Sequence, residues 1–306
     1  MQAADTSTYG FSNDETMIPE PLYKEIANLT YERFGLDLRH GKRELVSSRL
    51  LRKVREARCE SYQEYFDLVQ ADAKGQSFLL MIEALTTNHT AFLREKSHFE
   101  FLAKHAPALF ANRDQLRIWS AASATGEEVY TILMVLIEAL NLPFPNARLE
   151  SRLTVRGTDI SMKALNSAKT GIYSEDKVTP LPGEWRAKYF LKGRGRAHGM
   201  VQVKPQLREM AQFESFNLIR PGSVEMKYPV IFCRNVMIYF DKATQERVTA
   251  TLASSLEPGG FLVIGHAENI SGMEDSLLRI APALYQKKED SSREKRSSSF
   301  ISKGLL

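Results

Sequence analysis

From Arg113 onward, strand patterns alternate with helical patterns, and this alternation constrains the possible folds more than any other feature of the sequence. Runs of apolar and β-branched residues typical of strands occupy 116–122, 153–160, the start of 230–240, 259–266 and 283–288. Helical patterns lie between them at 127–140, 161–169 and 242–256. Such alternation is typical of a parallel sheet with helices on both faces. The sequence therefore predicts a Rossmann-like α/β domain whose last two strands form a hairpin at the sheet edge.

The segment before this domain has a different pattern. Residues 18–85 carry apolar side chains at three- and four-residue spacing and few strand signals, which predicts helices. A further helix, running to about Lys104, leads out of this helical segment. The predicted organisation is a flexible tail at 1–17, an all-α domain at 18–90, an α/β domain at 91–288 and a disordered, Ser-rich tail at 289–306.

Composition excludes several classes of protein. Charged residues make up 25% of the chain, with 17 Gly and 12 Pro, which argues against a largely disordered or collagen-like chain. With only two cysteines, Cys59 and Cys233, neither a disulfide framework nor a four-thiolate metal site is possible. The N-terminus lacks the basic and apolar regions of a signal peptide, and no apolar run is long enough for a membrane span. We therefore expect a cytoplasmic protein that does not insert into membranes. We also expect a monomer.

One segment, at about 188–205, interrupts the alternation of strands and helices. It has strand-type residues around a turn that contains Gly193, Gly195 and Gly199. We predict a small antiparallel insertion of two short strands. Because two strands cannot form a core of their own, they must lean on the main domain and leave one strand edge open.

The ends of the first two predicted strands carry the features of a nucleoside site. Ligands of open α/β sheets lie at the carboxyl ends of the strands, near the switch in strand order. Small residues and Gly126 follow the first strand, and Asp159 ends the second, where an acidic residue commonly binds ribose hydroxyls. The alternative is an ordinary strand–helix turn that is capped by Ser or Asp.

The motifs that are missing from the first turn, and the acidic residues that it contains, indicate which nucleoside the site would bind. Neither the dinucleotide fingerprint G-x-G-x-x-G nor the phosphate-binding G-x-x-x-x-G-K-[ST] sequence is present. Glu127 and Glu128 would repel a pyrophosphate but tolerate a cation. S-adenosylmethionine carries a sulfonium and a ribose but no phosphate, so this pattern favours a methyl donor over NAD or ATP.

Several motifs together closely resemble the CheR-type chemotaxis receptor methyltransferases. They are LTTNHTAFLRE (85–95), SAASATGEEVY (120–130), GTDIS (157–161), IFCRNVMIYFDKATQERV (231–248) and PGGFLVIGHAEN (258–269). The resemblance spans roughly residues 18–287, with the motifs in the family's order. It implies an all-α N-terminal domain, a Rossmann-like S-adenosylmethionine methyltransferase domain and a small antiparallel β-subdomain. It also implies a protein-glutamate O-methyltransferase that forms glutamyl methyl esters on chemoreceptors for sensory adaptation.

The resemblance also implies roles for particular residues. Arg94 and Tyr239 match the catalytic positions of the family. The positions that match the family's contacts to the cofactor are Asn88, Thr90, Arg94, Glu128, Asp159, Asn217, Leu218, Arg234 and Asn235. The expected product is S-adenosylhomocysteine, and no metal is expected because the histidines show no metal-ligand spacing. The sequence departs from the family at small residues beside these positions, such as Val129, Ser161 and Ala267.

Two basic regions are candidate receptor-binding surfaces. In the basic stretch from Arg39 to Arg58, Arg49, Arg52 and Arg55 match family positions that face the methylation region of the receptor, although a solvated helix face has the same pattern. Arg194 and Arg196 lie at the turn of the insertion, which in a subset of the family binds the C-terminal pentapeptide of the receptor. A merely structural hairpin is the alternative there.

Two other functions are compatible with an S-adenosylmethionine site. A methyltransferase for nucleic acid would use a basic helix to hold phosphates, but the P-P-Y type of catalytic tetrapeptide is missing and the corresponding strand ends in RNVMIY. A non-catalytic sensor would retain the binding residues without turnover. The motifs favour the receptor methyltransferase, with no nucleic-acid partner.

Overall fold

The computed structural model describes residues 16–39, 41–72, 75–86, 90–111, 113–146, 148–221, 226–273 and 275–289. The chain divides into two compact units, Met1–Thr87 and Asn88–Leu306. Almost all of the two predicted tails lies outside the described residues. Within the described ranges, no helix combines the length and the apolar character that a membrane crossing requires.

The first unit is helical, as the sequence predicts. Its helices are α1 (Glu20–Phe34), α2 (Arg43–Glu56), α3 (Tyr62–Ala71) and α4 (Gln76–Leu85). Apolar side chains at helical spacing, such as Ile26, Leu50, Phe66 and Met81, are fully buried and form its core. The Tyr62 hydroxyl, itself buried, donates a hydrogen bond to the carbonyl of Ser47 on α2 and so satisfies its polar end.

The second unit contains the predicted alternation of strands and helices. Its helices are α5 (Lys96–Phe110), α6 (Glu127–Ala139), α7 (Leu149–Arg152), α8 (Met162–Thr170), α9 (Gly183–Tyr189), α10 (Pro205–Arg208) and α11 (Lys242–Ser255). Its strands are β1 (Leu116–Ala121), β2 (Leu153–Asp159), β3 (Ile172–Ser174), β4 (Phe190–Lys192), β5 (Met200–Val203), β6 (Ala211–Ser215), β7 (Tyr228–Cys233), β8 (Leu256–Ile264), β9 (Leu277–Ala281) and β10 (Leu284–Lys287). The predicted fold class is confirmed.

The large sheet has the strand order β6-β2-β1-β7-β8-β10-β9. The five neighbouring strands β6, β2, β1, β7 and β8 run parallel to one another. Strand β10 runs antiparallel to both β8 and β9. Because β1 lies between β2 and β7, the order of strands reverses at β1. This reversal is the switch point at which ligands of open α/β sheets bind.

The sheet edge differs from the predicted hairpin of two strands. The chain forms an additional strand, β9, which lies outside β10 and is the true edge strand. Its central residues Leu278, Arg279 and Ile280 are all exposed, so the alternation of buried and exposed positions that identifies a strand is missing. The pairing with β10, rather than burial, makes this segment a strand.

Helix α6 is buried on nearly all sides. Every residue from 127 to 137 is buried, which is the pattern of a helix inside a domain rather than on its surface. The buried apolar side chains include Val129, Ile132 and Leu133. Packing on all sides fixes the N-terminus of α6, and with it the loop that joins β1 to α6.

The predicted insertion is a three-stranded rather than a two-stranded sheet. Strand β5 lies in its centre and pairs antiparallel with β3 and β4. The chain itself therefore supplies the third strand, from residues before the predicted 188–205 segment. The Tyr173 hydroxyl of β3 donates to the carbonyl of Thr125, 2.7 Å away, and Lys177 forms an ion pair with Glu127 at 2.7 Å. The first bond joins the small sheet to the β1–α6 loop, and the second joins the 3-10 turn after β3 to the start of α6.

Candidate functional site

The loop between β1 and α6 has an unusual backbone. Ala122, Ala124 and Gly126 all have positive φ, at 62°, 45° and 92°. A Cβ on Gly126 would lie 2.8 Å from Cβ of Ala168 and 3.2 Å from the ring of Phe213. From the sequence, Gly126 is expected to allow the close approach of a ligand. In the structure, glycine is required at this position by the left-handed backbone and by the packing of α8 and β6 against the turn.

Asp159 connects the loops that follow β1 and β2. Its side chain is buried, and its two carboxylate oxygens accept hydrogen bonds from the N–H groups of Ala124 at 2.8 Å and Ser161 at 2.9 Å. These charge-assisted bonds fix the orientation of the carboxylate at the strand end. Nearby, the buried Ser123 hydroxyl oxygen has no hydrogen-bond partner among the described residues. A buried hydroxyl of this kind is a polar group that a ligand can satisfy.

The two glutamates at the start of α6 each have a cationic partner. Glu128 accepts from the Ser120 hydroxyl at 2.7 Å and from Arg234 at 2.8 Å, whereas Glu127 pairs with Lys177. Their negative charges are therefore largely neutralised within the protein. The two glutamates therefore do not present the unpaired negative charges that the sequence predicts, while the absence of phosphate-binding glycine motifs still argues against a pyrophosphate.

Arg234 joins three segments at the carboxyl edge of the sheet. Its Nη1 donates to Glu128, and its Nη2 donates to the carboxylate of Glu95 at 3.0 Å and to the main-chain carbonyl of Arg94. Its side chain is only 3% exposed. Burial of a guanidinium requires this pairing, because an unpaired buried charge costs several kcal/mol, on the order of 3–5. Arg234 therefore positions the turn that carries Arg94.

The turn around Arg94 is held in a left-handed conformation. Leu93 and Glu95, on either side of Arg94, have φ of 55° and 57°. Residues other than glycine adopt such left-handed backbone angles only at a cost in free energy. The bonds from Arg234 hold this turn in place. Arg94 itself is half-buried, and it stands one residue before the carboxylate that Arg234 and Asn235 share.

Glu268 fixes the loops that follow β7 and β8. Its carboxylate accepts three main-chain N–H bonds, from Gly265 at 2.7 Å, Met237 at 2.8 Å and Asn235 at 2.9 Å. Asn235 has a φ of 58°, so the bond from its N–H supports another left-handed residue. A Cβ on Gly265 would lie 2.5 Å from the Asn235 amide nitrogen, which only glycine avoids. Glu268 thus sets the conformation of the segment that runs to Tyr239.

We expect Glu268→Gln to destabilise the second unit by about 1–3 kcal/mol, the cost of a buried main-chain N–H left without an acceptor. Glutamine has one acceptor oxygen for three donors, and its amide group would face an N–H. The free energy of unfolding from urea titration measures this loss. Glu184→Gln, at an exposed position of α9, is the matched control and should change stability little. Equal stability of the Glu268 variant and the parent would contradict the role.

Burial and charge shift the pKa values of two neighbouring groups at this edge. Burial raises the pKa of Glu95, but Arg234 and the hydrogen bond from Asn235 outweigh it, and the net pKa is lowered. Burial, and secondly the charge of Arg234, lower the pKa of His98 to about 4. At neutral pH the site therefore contains an ionised Glu95 and a neutral His98. Glu95, His98 and His266 form a cluster of potential metal ligands.

The other predicted site residues lie at the same edge or outside the described residues. Asn88 is outside them. Thr90 is half-buried, ahead of the turn that carries Arg94, and Tyr239 is half-buried in the short 3-10 turn Met237–Tyr239 after β7. After β6, the Asn217 side chain accepts from the N–H of Ile219 at 3.1 Å, and Leu218 is buried. Their contacts with a cofactor stay predictions.

The predicted receptor-binding arginines differ in exposure. On α2, Arg49 is half-buried and donates to the carbonyl of Leu85, whereas Arg52 is exposed and pairs with Glu56 at 2.8 Å, and Arg55 is also exposed. In the small sheet, Arg194 and Arg196 are both exposed, at the turn between β4 and β5. Four of the five arginines are thus on the surface of their own unit.

The buried thiol in this region is not a nucleophile. Cys233, at the end of β7, is fully buried, and burial together with Glu268 and Glu128 raises its pKa well above the usual value. A thiol that stays protonated is a poor nucleophile. This agrees with the sequence, which gives Cys233 no base partner.

The sequence pattern alone gives no role to Glu95, Glu268, His98 or His266. His266 and Glu268 belong to the motif GHAEN, which directly follows a buried strand. Polar residues after β8 meet polar residues after β7 because neighbouring parallel strands end at the same sheet edge. That rule, applied to His266 and Glu268, is the signal that could have found them.

The strand order and the fixed carboxylate at the end of β2 define an α/β domain with a potential nucleoside site at its switch point and without a phosphate-binding glycine motif. Domains of this class include the methyltransferases that use S-adenosylmethionine.

Comparison with known proteins identifies the family. The all-alpha domain of CheR methyltransferases matches residues 21–86, and the SAM binding domain of CheR methyltransferases matches residues 88–283. A chemotaxis protein methyltransferase of Salmonella typhimurium is 37% identical over 252 residues, which cover 82% of this chain and 84% of that protein. Chemotaxis protein methyltransferase 2 of Pseudomonas aeruginosa is 36% identical over 276 residues, which cover 90% of this chain and 96% of that protein. The chain belongs to the CheR methyltransferase family.

Proposed function

We propose that this protein transfers a methyl group from S-adenosylmethionine to glutamate side chains of chemoreceptors, in the cytoplasm, and forms glutamyl methyl esters for sensory adaptation. The observation that carries the proposal is the convergence of Asp159, Arg234, Asn235 and the Arg94 turn at one edge of a sheet whose domain matches the SAM binding domain of the family. The names of the relatives, chemotaxis protein methyltransferases, support the same reaction.

The residues at the strand ends suit S-adenosylmethionine chemically. A buried carboxylate at the end of β2 suits the two ribose hydroxyls, and the buried Ser123 hydroxyl offers a further polar contact. In this proposal Thr90, Glu128, Asn217, Leu218 and Asn235 complete the binding surface together with Asn88, while Arg234 acts by positioning Glu128 and the Arg94 turn. When bound, S-adenosylmethionine supplies a methyl group on a good leaving group, and S-adenosylhomocysteine is the product.

The reaction requires orientation of the acceptor carboxylate towards the methyl group rather than acid–base catalysis. The acceptor glutamate, with a reference pKa of about 4.3, is already ionised at neutral pH, so no proton needs to be removed from it. Alignment of reacting groups can contribute several kcal/mol to a rate, on the order of 7 or more. We propose that Arg94 binds the acceptor carboxylate and that Tyr239, at the rim of the site, donates a hydrogen bond to it. A guanidinium suits this role because its fork of N–H donors matches a carboxylate.

One experiment tests the reaction directly. The purified protein is incubated with methyl-labelled S-adenosylmethionine and membranes that contain chemoreceptors. Label that appears on the receptor and is released by mild base supports a glutamyl methyl ester. Base-stable label, label on nucleic acid, or binding of S-adenosylmethionine without any transfer would overturn the proposal in favour of another acceptor or a sensor.

We also propose that helix α2 contacts the methylation region of the receptor. Arg52 and Arg55 are exposed, so acidic side chains of a receptor can reach them, and Arg52 would then exchange its pair with Glu56 for a receptor carboxylate. Arg49 is half-buried and donates to the carbonyl of Leu85. Among the three, Arg52 and Arg55 are therefore expected to contribute most to receptor affinity and its dependence on salt. A purely solvated face would leave both unchanged when these two charges are reversed.

The small sheet is proposed to bind the C-terminal peptide of a receptor. The strands β3 and β4 are its outer strands, and an extended peptide can add to such an edge through main-chain hydrogen bonds. Arg194 and Arg196, exposed beside β4, suit the terminal carboxylate or an acidic residue of the peptide. A tether of this kind raises the local enzyme concentration without altering the chemical step.

We expect Arg194→Glu with Arg196→Glu to abolish binding of a receptor C-terminal peptide, because two attractive charges become repulsive. Calorimetric titration measures the binding. The matched control is Lys104→Glu with Arg279→Glu, which makes the same change of net charge at exposed positions outside the small sheet. Unaltered binding by the Arg194/Arg196 variant, or no binding by the parent protein, would leave the sheet with a structural role only.

A further inference from the structure

Three potential metal ligands from two distant segments lie close together at the carboxyl edge of the large sheet. Glu95 and His98 lie at the start of α5, and His266 follows β8. Their ligand atoms all lie within 4.8 Å of one another. The Nδ1 atom of His98 is 3.4 Å from Oε2 of Glu95, a separation close to that of two ligands on one tetrahedral ion. Sequence spacing gave no sign of this cluster because His266 is remote from the other two.

The buried, unbonded imidazole of His98 is the second observation that indicates a ligand at this cluster. Its side chain is 1% exposed, yet neither ring nitrogen has a hydrogen-bond partner among the described residues. Its contact with Glu95 is close enough for an ion pair but does not have hydrogen-bond geometry. Buried polar groups are nearly always bonded, so an imidazole in this state indicates a missing partner such as an ion or a water.

We propose that Glu95, His98 and His266 form a binding site for a late first-row divalent cation, with Zn²⁺ as the preferred ion. Two imidazoles and one carboxylate are a common donor set for Zn²⁺, with the fourth position left to water or another ligand. His266 is exposed, so an ion can enter from solvent, while His98 and Glu95 form the inner side of the site. This inference concerns binding alone and does not depend on the proposed methyl transfer.

The local charges permit a cation there despite the nearby guanidinium. Arg234 is paired both with Glu95 and with Glu128, so these three groups carry a net charge of −1. An ion at the cluster draws on the Glu95 carboxylate, which also accepts from Arg234 and from the Asn235 amide. Occupancy of the site is therefore coupled to the two segments that carry Arg94 and Asn235.

Binding of Co²⁺ alone, as a spectroscopic probe for Zn²⁺, tests the site. The full chain is prepared without a histidine tag, treated with a chelator and dialysed, and then titrated with Co²⁺ and, by calorimetry, with Zn²⁺. We expect one ion per chain, visible d–d absorption from Co²⁺, and displacement of Co²⁺ by Zn²⁺. His266→Ala is expected to lower the affinity by about 100-fold or more, because a ligand is lost.

The controls separate the cluster from other histidines. His198→Ala removes an exposed histidine of the small sheet and should leave the affinity unchanged. His266→Gln, which keeps a polar side chain of similar reach, guards against a folding effect of the alanine variant and should also lose binding. No saturable ion in the parent protein, or equal binding by the parent and both His266 variants, would overturn the proposal.

Discussion

Arg94→Ala is expected to lower the turnover number for receptor methylation by about 100-fold or more, the effect of losing alignment at a reacting centre. The main chain of Arg94 is fixed by the left-handed residues Leu93 and Glu95 and by the hydrogen bond from Arg234 to its carbonyl. The alanine variant should therefore keep the turn and lose only the guanidinium. Steady-state rates with receptor membranes and labelled S-adenosylmethionine measure the loss.

Graded variants distinguish orientation by a guanidinium from a general effect of charge. Arg94→Lys should recover little of the rate, because an ammonium cannot form two parallel bonds to a carboxylate. Tyr239→Phe should be milder than Arg94→Ala, since it removes a single hydroxyl. Arg113→Ala is the matched control, because Arg113 pairs with Glu257 at the amino end of the sheet, away from the strand ends of the site. Turnover by Arg94→Ala close to that of the control would remove Arg94 from the proposed mechanism.

The fold could be predicted from the sequence wherever burial follows a clear period. The parallel strands β1, β2 and β7 are buried at nearly every position, and their apolar and β-branched residues, which alternate along the chain with helical patterns, predict the α/β class. Strands that depend on pairing rather than burial were not predicted. They are β9, whose central side chains are exposed, and β3, a strand of three residues.

The candidate site could be predicted only where one residue acts alone. Asp159 was expected from its position at a strand end, and the structure places it there with its carboxylate fixed by two N–H groups. Networks were not predicted, because their members come from remote segments. The partners of Glu128 and Glu127, namely Arg234 and Lys177, neutralise charges that the sequence alone left facing a ligand.

The same limit explains the cluster of Glu95, His98 and His266. A search for metal ligands by spacing finds residues that share a helix or a turn. Here the third residue, His266, is brought to the other two by the sheet. Strand β8 ends beside β7, and the loop after β8 places His266 next to the start of α5. Proximity across a sheet edge depends on strand order, which the sequence pattern did not give.

Asp159→Ala is expected to weaken the binding of S-adenosylmethionine by about 2–4 kcal/mol, or roughly 30- to 1,000-fold, since two charge-assisted bonds to ribose are lost. The variant also leaves the N–H groups of Ala124 and Ser161 without an acceptor, so its stability must be measured by urea titration and its affinity determined at a temperature at which it is folded. Calorimetry with the purified protein gives the affinity.

The comparison of substrate with product makes the prediction about Asp159 specific. S-adenosylhomocysteine has the same ribose but no positive charge on sulfur, so bonds to the ribose predict an equal loss of affinity for both compounds. An electrostatic effect on the sulfonium would instead weaken only S-adenosylmethionine. Asp176→Asn, at an exposed position in the 3-10 turn after β3, removes one negative charge from the protein and is the control for net charge. A folded Asp159→Ala variant with unchanged affinity for both compounds would place the ribose elsewhere, because no other carboxylate among the described residues ends β2.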